Sequence, residues 1–593
     1  HTEFPVIGGL PYLMTLGPHM FAWFSLETPR AAASAEAAKH ELPQFEVVES
    51  LDHFMRGEHR ERLERALPSY LPECRWFRGK AHKIRAVRIA DIISFGEENG
   101  GPLLTFAGVE LADSEPETYL LPLAIAEGEN AELIRQSAPR AIIADVSLGR
   151  HSGSGSGLLF DATADPDFAK IMLETIVRRR HHRGINGIMA GSLVRNSSAR
   201  FADGALEPRA LAVEQTNSSI AFGDQFILKL LRRLEGGVSP DLELSRFLTE
   251  NAAFSHTPAL AGWLEYRVGR SEPRTMAVLQ QFVPNQGDAW AFARSELNRY
   301  FERAAAQKES PGGPSQPLIT LLEASGPDPA SERMIGAFLE AARMLGRRVA
   351  ELHIALATPS SDPAFASEPF TPFWHRSVYQ SLRNLSGQSL RLLRDQLPTL
   401  TAEDHKRAER LLSHPEWIDT RLDLFLKQKV AAVRIRCHGD LHLGQVLYTG
   451  NDFYIIDFEG EPARPLAERR GKRSVMRDIA GMIRSFDYAA FGTLADMLRS
   501  GALGAGHDFA SMSQWAALWQ AWTSAVFLKE YLAVAGQMPF VPQERGELCM
   551  LLETFVLEKA IYELGYELNN RPAWAGIPLR GIEHVLGVDS EPA

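Results

Sequence analysis

His438-Gly439-Asp440-Leu441-His442-Leu443-Gly444-Gln445, with the apolar run Tyr454-Ile455-Ile456 and then Asp457-Phe458-Glu459 behind it, is the stretch on which the reading of this chain turns. A carboxylate at Asp440 can hold an acceptor hydroxyl and take its proton, while Gln445 and Asp457 offer the hard oxygen atoms that Mg²⁺ on ATP prefers. The pattern implies phosphoryl transfer. The plain alternative is a loop ahead of a buried strand, with its carboxylates placed by chance.

Spacing speaks for the chemistry. In the protein-kinase template a catalytic-loop Asp is followed five residues later by an amide on the metal, and a second metal-binding Asp sits at a strand end. Asp440 and Gln445 keep that interval, and Asp457 closes the apolar run. Two departures matter. Gln445 stands where Asn is usual, retaining the amide oxygen, and Asp-Phe-Glu replaces Asp-Phe-Gly with no Ala-Pro-Glu segment following. The missing Gly and the absent Ala-Pro-Glu segment argue against a regulated activation loop and hence against a protein substrate. His438 is read as a positioning residue whose ring makes a backbone contact.

Upstream, Gln215-Thr216-Asn217-Ser218-Ser219-Ile220 precedes Phe226-Ile227-Leu228-Lys229-Leu230-Leu231, an apolar strand interrupted by one lysine. Lysine is rarely buried without a partner. Nucleotide phosphates and an acid on the next helix would supply partners, with Glu243 placed for that role behind Pro240 and Asp241, which suit a helix start. Ser218 and Ser219 would cover the phosphates. A lysine that merely solvates an edge strand is the other reading. Met276-Ala277-Val278-Leu279-Gln280-Gln281-Phe282-Val283 reads as a strand entering a loop, in which Gln281 and Val283 would meet the adenine through their backbone, or else as an ordinary core strand.

Composition bounds the rest. The chain has 593 residues, 45% hydrophobic and 23% charged, ample for packed cores in several domains. A net charge of −11 disfavours nucleic acid as partner, and the Arg178–Arg183 cluster reads as a solvated helix face. Three cysteines, Cys74, Cys437 and Cys549, exclude a disulfide framework. No apolar run reaches the length of a membrane span and no cleavable signal is evident, so a cytoplasmic location is expected.

Residues 1–27, short apolar runs split by Gly17-Pro18, are expected to be the tail of a β-domain, and 28–45 a linker poor in apolar pattern. Beyond them, 46–133 holds strand-like runs at Ile84–Ile89 and Leu103–Val109 with the motif Cys74-Arg75-Trp76-Phe77-Arg78-Gly79-Lys80. The run Ser152-Gly153-Ser154-Gly155-Ser156-Gly157 is read as a flexible surface loop, with a phosphate cradle as its alternative. After Val283 the pattern turns helical, notably over Arg333–Ala355. Strands before and helices after give a two-lobed α+β enzyme.

For the acceptor, Glu459, Arg484, Asp487, Tyr562 and Tyr566 are the candidates. The two tyrosines lie one helical turn apart and share a face. Aromatic faces with carboxylates and arginines suit a sugar; rings packed in a core are the alternative.

Residues 46–593 resemble the maltokinases of the aminoglycoside-phosphotransferase-like kinase superfamily. The resemblance rests on Arg75-Trp76-Phe77 with Gly79-Lys80, Cys437 to Gln445, Asp457-Phe458-Glu459-Gly460-Glu461-Pro462, Arg477-Asp478-Ile479-Ala480-Gly481-Met482, Arg484 to Ala490 and Tyr566 to Pro572. Residues 1–27 resemble the end of a trehalose synthase β-domain. The resemblance implies a bilobal kinase fold with an N-terminal cap at 46–133, an N-lobe at 134–283 and a helical C-lobe at 284–593. It implies transfer from ATP to the anomeric hydroxyl of maltose, feeding α-glucan synthesis, with a trehalose synthase fused or associated. Two alternatives stay open. One is a kinase of another small hydroxyl compound such as an aminoglycoside, which the arginines oppose; the other is a nucleotide-binding pseudokinase that docks trehalose synthase.

Overall fold

The computed structural model describes residues 42–588, apart from 48–49, 96–100, 113, 151–152, 195–205, 212–215, 253, 308–310, 312–317 and 505. The expected β-domain tail therefore lies outside the described residues, as does the expected linker up to 41. The last two residues of that linker, Gln44 and Phe45, open a strand instead.

Two seven-stranded sheets build the first half. In the first, β1 (Gln44–Val47), β5 (Ile142–Arg150), β6 (Gly153–Asp161), β4 (Glu117–Glu127), β3 (Leu103–Leu111) and β2 (Ile84–Ser94) lie side by side in that order, and β12 (Arg233–Leu234) also pairs with β4. The second runs β7 (His181–Arg183), β8 (Ile188–Leu193), β13 (Leu260–Arg267), β14 (Arg274–Gln281), β11 (Phe226–Leu230), β10 (Ser218–Phe222), β9 (Pro208–Leu211). Because β5 and β6 join the first sheet, it extends past residue 133, where the cap was expected to end. The Gly-Ser run is no loop: Gly153–Gly157 pair along β5 as half of an antiparallel ribbon, and a side chain at Gly157 would press on the Ala126 carbonyl.

Strand alternation joins the sheets. On β3, Leu103, Ala107 and Val109 face a core with the Gly57–Tyr70 helix residues Leu63 and Leu67, while Leu104 and Phe106 face the other way. That second face shares one apolar core with Ile220, Leu228 and Met276 of the second sheet. The period of two in a strand makes such a doubly covered sheet possible. Cap and N-lobe are thus packed through common side chains, and β12 stitches them by backbone pairing.

The C-lobe is helical. Phe338–Leu356, Met476–Ser500, Phe509–Ala535 and Arg545–Asn570 bury their apolar faces in a single core. The helix expected over 333–355 is broken at Gly336, whose φ of +69° ends the short helix Pro329–Ile335 before Phe338 starts the next. No helix among the described residues is long and apolar enough to cross a membrane. Mixed strands and helices in two lobes agree with the α+β class read from the sequence.

Candidate active site

The loop Cys437–Gln445 crosses under the Met476–Ser500 helix. Asp478 on that helix accepts hydrogen bonds from the backbone N–H groups of His438 and Gly439 at 2.8 and 2.9 Å, and His353 Nε2 braces it at 3.0 Å. Gly481, one turn on, lets the helix approach; a Cβ there would overlap the Leu441 carbonyl oxygen. Gly439 takes φ +87° at no steric cost. His438 Nε2 donates to the Ile456 carbonyl at 2.9 Å, and its Nδ1 accepts from Asp440 N–H at 3.3 Å. The ring therefore ties the loop to the strand Phe453–Ile455 that leads to Asp457.

Asp440 points to the C-terminal helices. Lys559 Nζ lies 3.0 Å from its Oδ1 and 3.1 Å from Glu461 Oε2, and Tyr562 donates to Glu461 at 2.7 Å. Burial pushes the Asp440 carboxyl up, but the Lys559 ammonium, aided by His442 and His438, more than offsets this and holds it below the usual carboxylate range. Burial likewise works against the Lys559 charge, yet Asp440 and Glu461 keep that ammonium well above its ordinary pKa. Asp440 is therefore ionised and ready to accept a proton-bearing group at neutral pH.

A second cluster lies across the loop. Lys229 on β11 reaches Asp457 Oδ1 at 2.5 Å, Glu459 Oε1 at 2.8 Å and Asp241 Oδ2 at 3.3 Å. Gln445 Nε2 donates to Asp457 Oδ2 at 2.9 Å. Burial raises the Asp457 carboxyl, but Lys229 outweighs it and the net direction is down; for Glu459 burial wins and the carboxyl sits higher than usual. Asp457 also holds φ +65°, a left-handed conformation that costs a non-glycine residue energy and is found at functional sites. Asp241, Asp457 and Glu459 bring oxygen atoms within 4.8 Å of one another. Hard carboxylate oxygens at that density match what Mg²⁺ takes.

The structure corrects two sequence expectations. Glu243 does not brace Lys229: its carboxylate holds Arg436 at 2.6 Å and Arg470 at 2.9 Å. The helix Pro240–Glu250 starts so close to β11 that Asp241, fully buried in its first turn, is the acid facing the lysine. Glu459 does not line the pocket that Asp440 and Tyr562 share either; Lys229 and Asn217, the latter 2.5 Å away, draw it into the cluster around Lys229.

The other predicted residues fall in four places. Ser218 and Ser219 open β10, with Ser218 Oγ accepting from Arg232 at 2.7 Å and Ser219 Oγ buried. Gln281 ends β14, and the Val283 carbonyl accepts from Asn285 at 2.8 Å. Arg484 and Asp487 pair with each other at 2.5 Å and Arg484 with Glu563 at 2.7 Å. They line a separate cavity of about 460 Å³, outside the pocket that Asp440 and Tyr562 share. Tyr566 is 48% exposed, with Arg571 over its ring. Lys559, Glu461, Asp241 and Asp478 were missed. Lys559 stands three residues before Tyr562, so the spacing that put two tyrosines on one face also put a lysine there.

Residues 70–165 match the maltokinase N-terminal cap domain. The solved structure of a glucosamine kinase superposes on the chain with a TM-score of 0.55 at 18% identity, covering 84% of this chain and 94% of that one. The chain carries a maltokinase-type N-terminal cap and shares the fold of the glucosamine kinase structure. Another glucosamine kinase structure, in complex with glucosamine, ADP and inorganic phosphate, gives 0.53 at 17% identity, with 84% and 94% covered. Among curated proteins, this chain is 25% identical over 290 residues to a glucosamine kinase of Mycolicibacterium smegmatis (strain ATCC 700084 / mc(2)155), 48% of this chain. It is 23% identical over 284 residues to one of Streptacidiphilus jiangxiensis, 47% of this chain. The matched segments span 59% and 54% of those relatives' lengths.

Proposed function

We propose that the protein transfers the γ-phosphoryl group of ATP to the anomeric hydroxyl of maltose, giving maltose 1-phosphate. One observation carries the choice of a neutral sugar. The pocket around Asp440 is lined by the cations Arg464, Arg473, Arg477 and Lys559 against the carboxylates Asp440, Glu461 and Glu558, four against three. Arg464 and Arg477 both bind Glu558, at 3.0 and 2.8 Å, and Lys559 holds the other two acids. A cationic acceptor would meet charge already compensated and one positive group in excess. The cap match supports maltose; the glucosamine kinase relatives favour a second reading, an amino-sugar acceptor, which this pocket charge opposes.

In the transfer, the sugar hydroxyl donates to Asp440, its oxygen lone pair forms the new bond to the γ-phosphorus, and the bond from that phosphorus to the bridging oxygen breaks in line. The proton passes to Asp440, and ADP leaves with the electron pair. Lys229 neutralises phosphate charge and Asp478 fixes the loop that carries the base. Asp457 and Gln445 are the residues that would hold Mg²⁺, which when bound offsets the triphosphate charge. Gln281 and Val283 lie where the two lobes join and would meet the adenine. Association with a trehalose synthase belongs to the proposal on the resemblance of residues 1–27 alone.

The test is ADP release by the purified chain with ATP, Mg²⁺ and, in turn, maltose, glucosamine, glucose, trehalose and kanamycin, with ³¹P NMR of the product. Maltose-dependent turnover with an anomeric phosphate is expected. Preference for glucosamine would reverse the pocket-charge argument, and ATP binding without turnover on any acceptor would favour the docking-module reading.

A further inference from the structure

One side chain of the cap reaches the cluster around Lys229. Arg78, in the turn that follows Arg75-Trp76-Phe77, points its guanidinium at Glu459, with Nη2 3.6 Å from Oε2. That is long for a charge-assisted bond, which runs about 2.7–2.9 Å. Its Nε is buried with no hydrogen-bond partner among the described residues. A mostly buried guanidinium with one distant carboxylate and an unmet donor is costly unless something else completes it.

Around Glu459 the donors come from three parts of the chain. Lys229 from β11 and Asn217 from the entry to β10 share Oε1, and Arg78 from the cap faces Oε2. A planar carboxylate held by an ammonium, an amide and a guanidinium occupies a setting that a phosphate oxygen fills equally well, and arginine's fork suits phosphate above other groups. The turn is held firmly enough to aim Arg78. The Trp76 ring lies under the Arg232 guanidinium at 4.6 Å, Arg232 is tied to Asp161 at 2.8 Å and to Ser218 at the start of β10, and Phe77 packs on Tyr119. The residues that seat the cap thus also seat the strand that opens with Ser218 and Ser219.

We infer that the cap completes the nucleotide site: Arg78 is a ligand for the terminal phosphate of ATP, in the place now taken by the Glu459 carboxylate. This rests on the phosphotransfer reading above and adds to it a reason for the cap's position. A nucleoside triphosphate presents the phosphate that satisfies Arg78, and a diphosphate does not.

Calorimetric titration of the full chain with MgATP and with MgADP tests the assignment in wild type, Arg78→Ala and Arg78→Lys. Loss of one charge-assisted bond predicts that Arg78→Ala weakens ATP about tenfold or more while ADP changes less than about twofold. Arg78→Lys, which keeps the charge and the stem that packs on the cap, is expected to fall between. The readout is the ATP-to-ADP affinity ratio within one preparation, so a fraction of unfolded protein lowers both and leaves the ratio unmoved. An unchanged ratio in both variants, with wild type preferring ATP, overturns Arg78 as a phosphate ligand and leaves the kinase reading standing. Wild type that binds neither nucleotide overturns the kinase reading, and the Arg78 assignment with it.

Discussion

Replacing Lys559 by methionine keeps the stem and removes the cation from Asp440. At 3.0 Å, with an effective dielectric near 20, the direct attraction is roughly 5–6 kcal/mol before desolvation is counted. An adjacent cation commonly lowers an Asp pKa by about 1–3 pH units. In the wild type burial raises Asp440 and Lys559 more than offsets it. Without the lysine, burial remains and Glu461, freed of its own counter-charge, adds repulsion, so the sign of the change is upward. The acid limb of kcat/KM against pH is expected to move about 1–3 pH units higher in Lys559→Met, with most of the loss at pH 5 recovered by pH 8. Stability follows the same sign. A depressed carboxyl contributes stability above its unfolded value, about 3.9, and loses it as pH falls through the lower folded value; the variant should lack that contribution. Steady-state rates with saturating ATP from pH 4.5 to 9 measure the limb. A uniform loss at every pH, with the limb in place, would refute the reasoning and make Lys559 a substrate contact instead of the group that keeps the base ionised.

Other expectations follow from the same geometry. Asp440→Asn should cut turnover about 10²–10⁴-fold while calorimetric ATP affinity stays within a few-fold, because in the proposed transfer the carboxylate serves the acceptor and not the nucleotide. Asp478→Ala leaves two buried backbone N–H groups and His353 without their acceptor, and should cost about 3–5 kcal/mol in urea unfolding; a change under about 1 kcal/mol would mean the loop is held by other contacts. Gly481→Ala should lower kcat with less effect on the melting midpoint, since the added methyl displaces the Leu441 carbonyl inside the catalytic loop. Arg232→Met should loosen the cap, read as faster limited proteolysis within residues 70–165 while the helical lobe stays resistant.

The sequence by itself determined which residues are candidates for the chemistry and their order along the chain. Asp440, Gln445 and Asp457 are close in sequence, so their spacing is a local property that survives without knowledge of packing. Strand-like apolar runs before residue 283 and three- and four-residue spacing after it were enough for two lobes and the α+β class, because a run buried on both faces suits a strand and a stripe at helical spacing suits a helix. What tertiary structure alone decided is which charges meet. Asp241 and Glu243 lie on one helix two residues apart, hence on different faces, and only the start of that helix against β11 selects Asp241 for Lys229. Glu459 looked like a sugar ligand by its neighbours in sequence, but Lys229, 230 positions earlier, captures it. Lys559 meets Asp440 across 119 residues. The Gly-Ser run reads as a loop by composition because glycine carries no burial pattern; its pairing with β5 comes from a backbone ladder that a sequence does not display. Charge pairing depends on distance in space, and distance along a chain of this length says little about it.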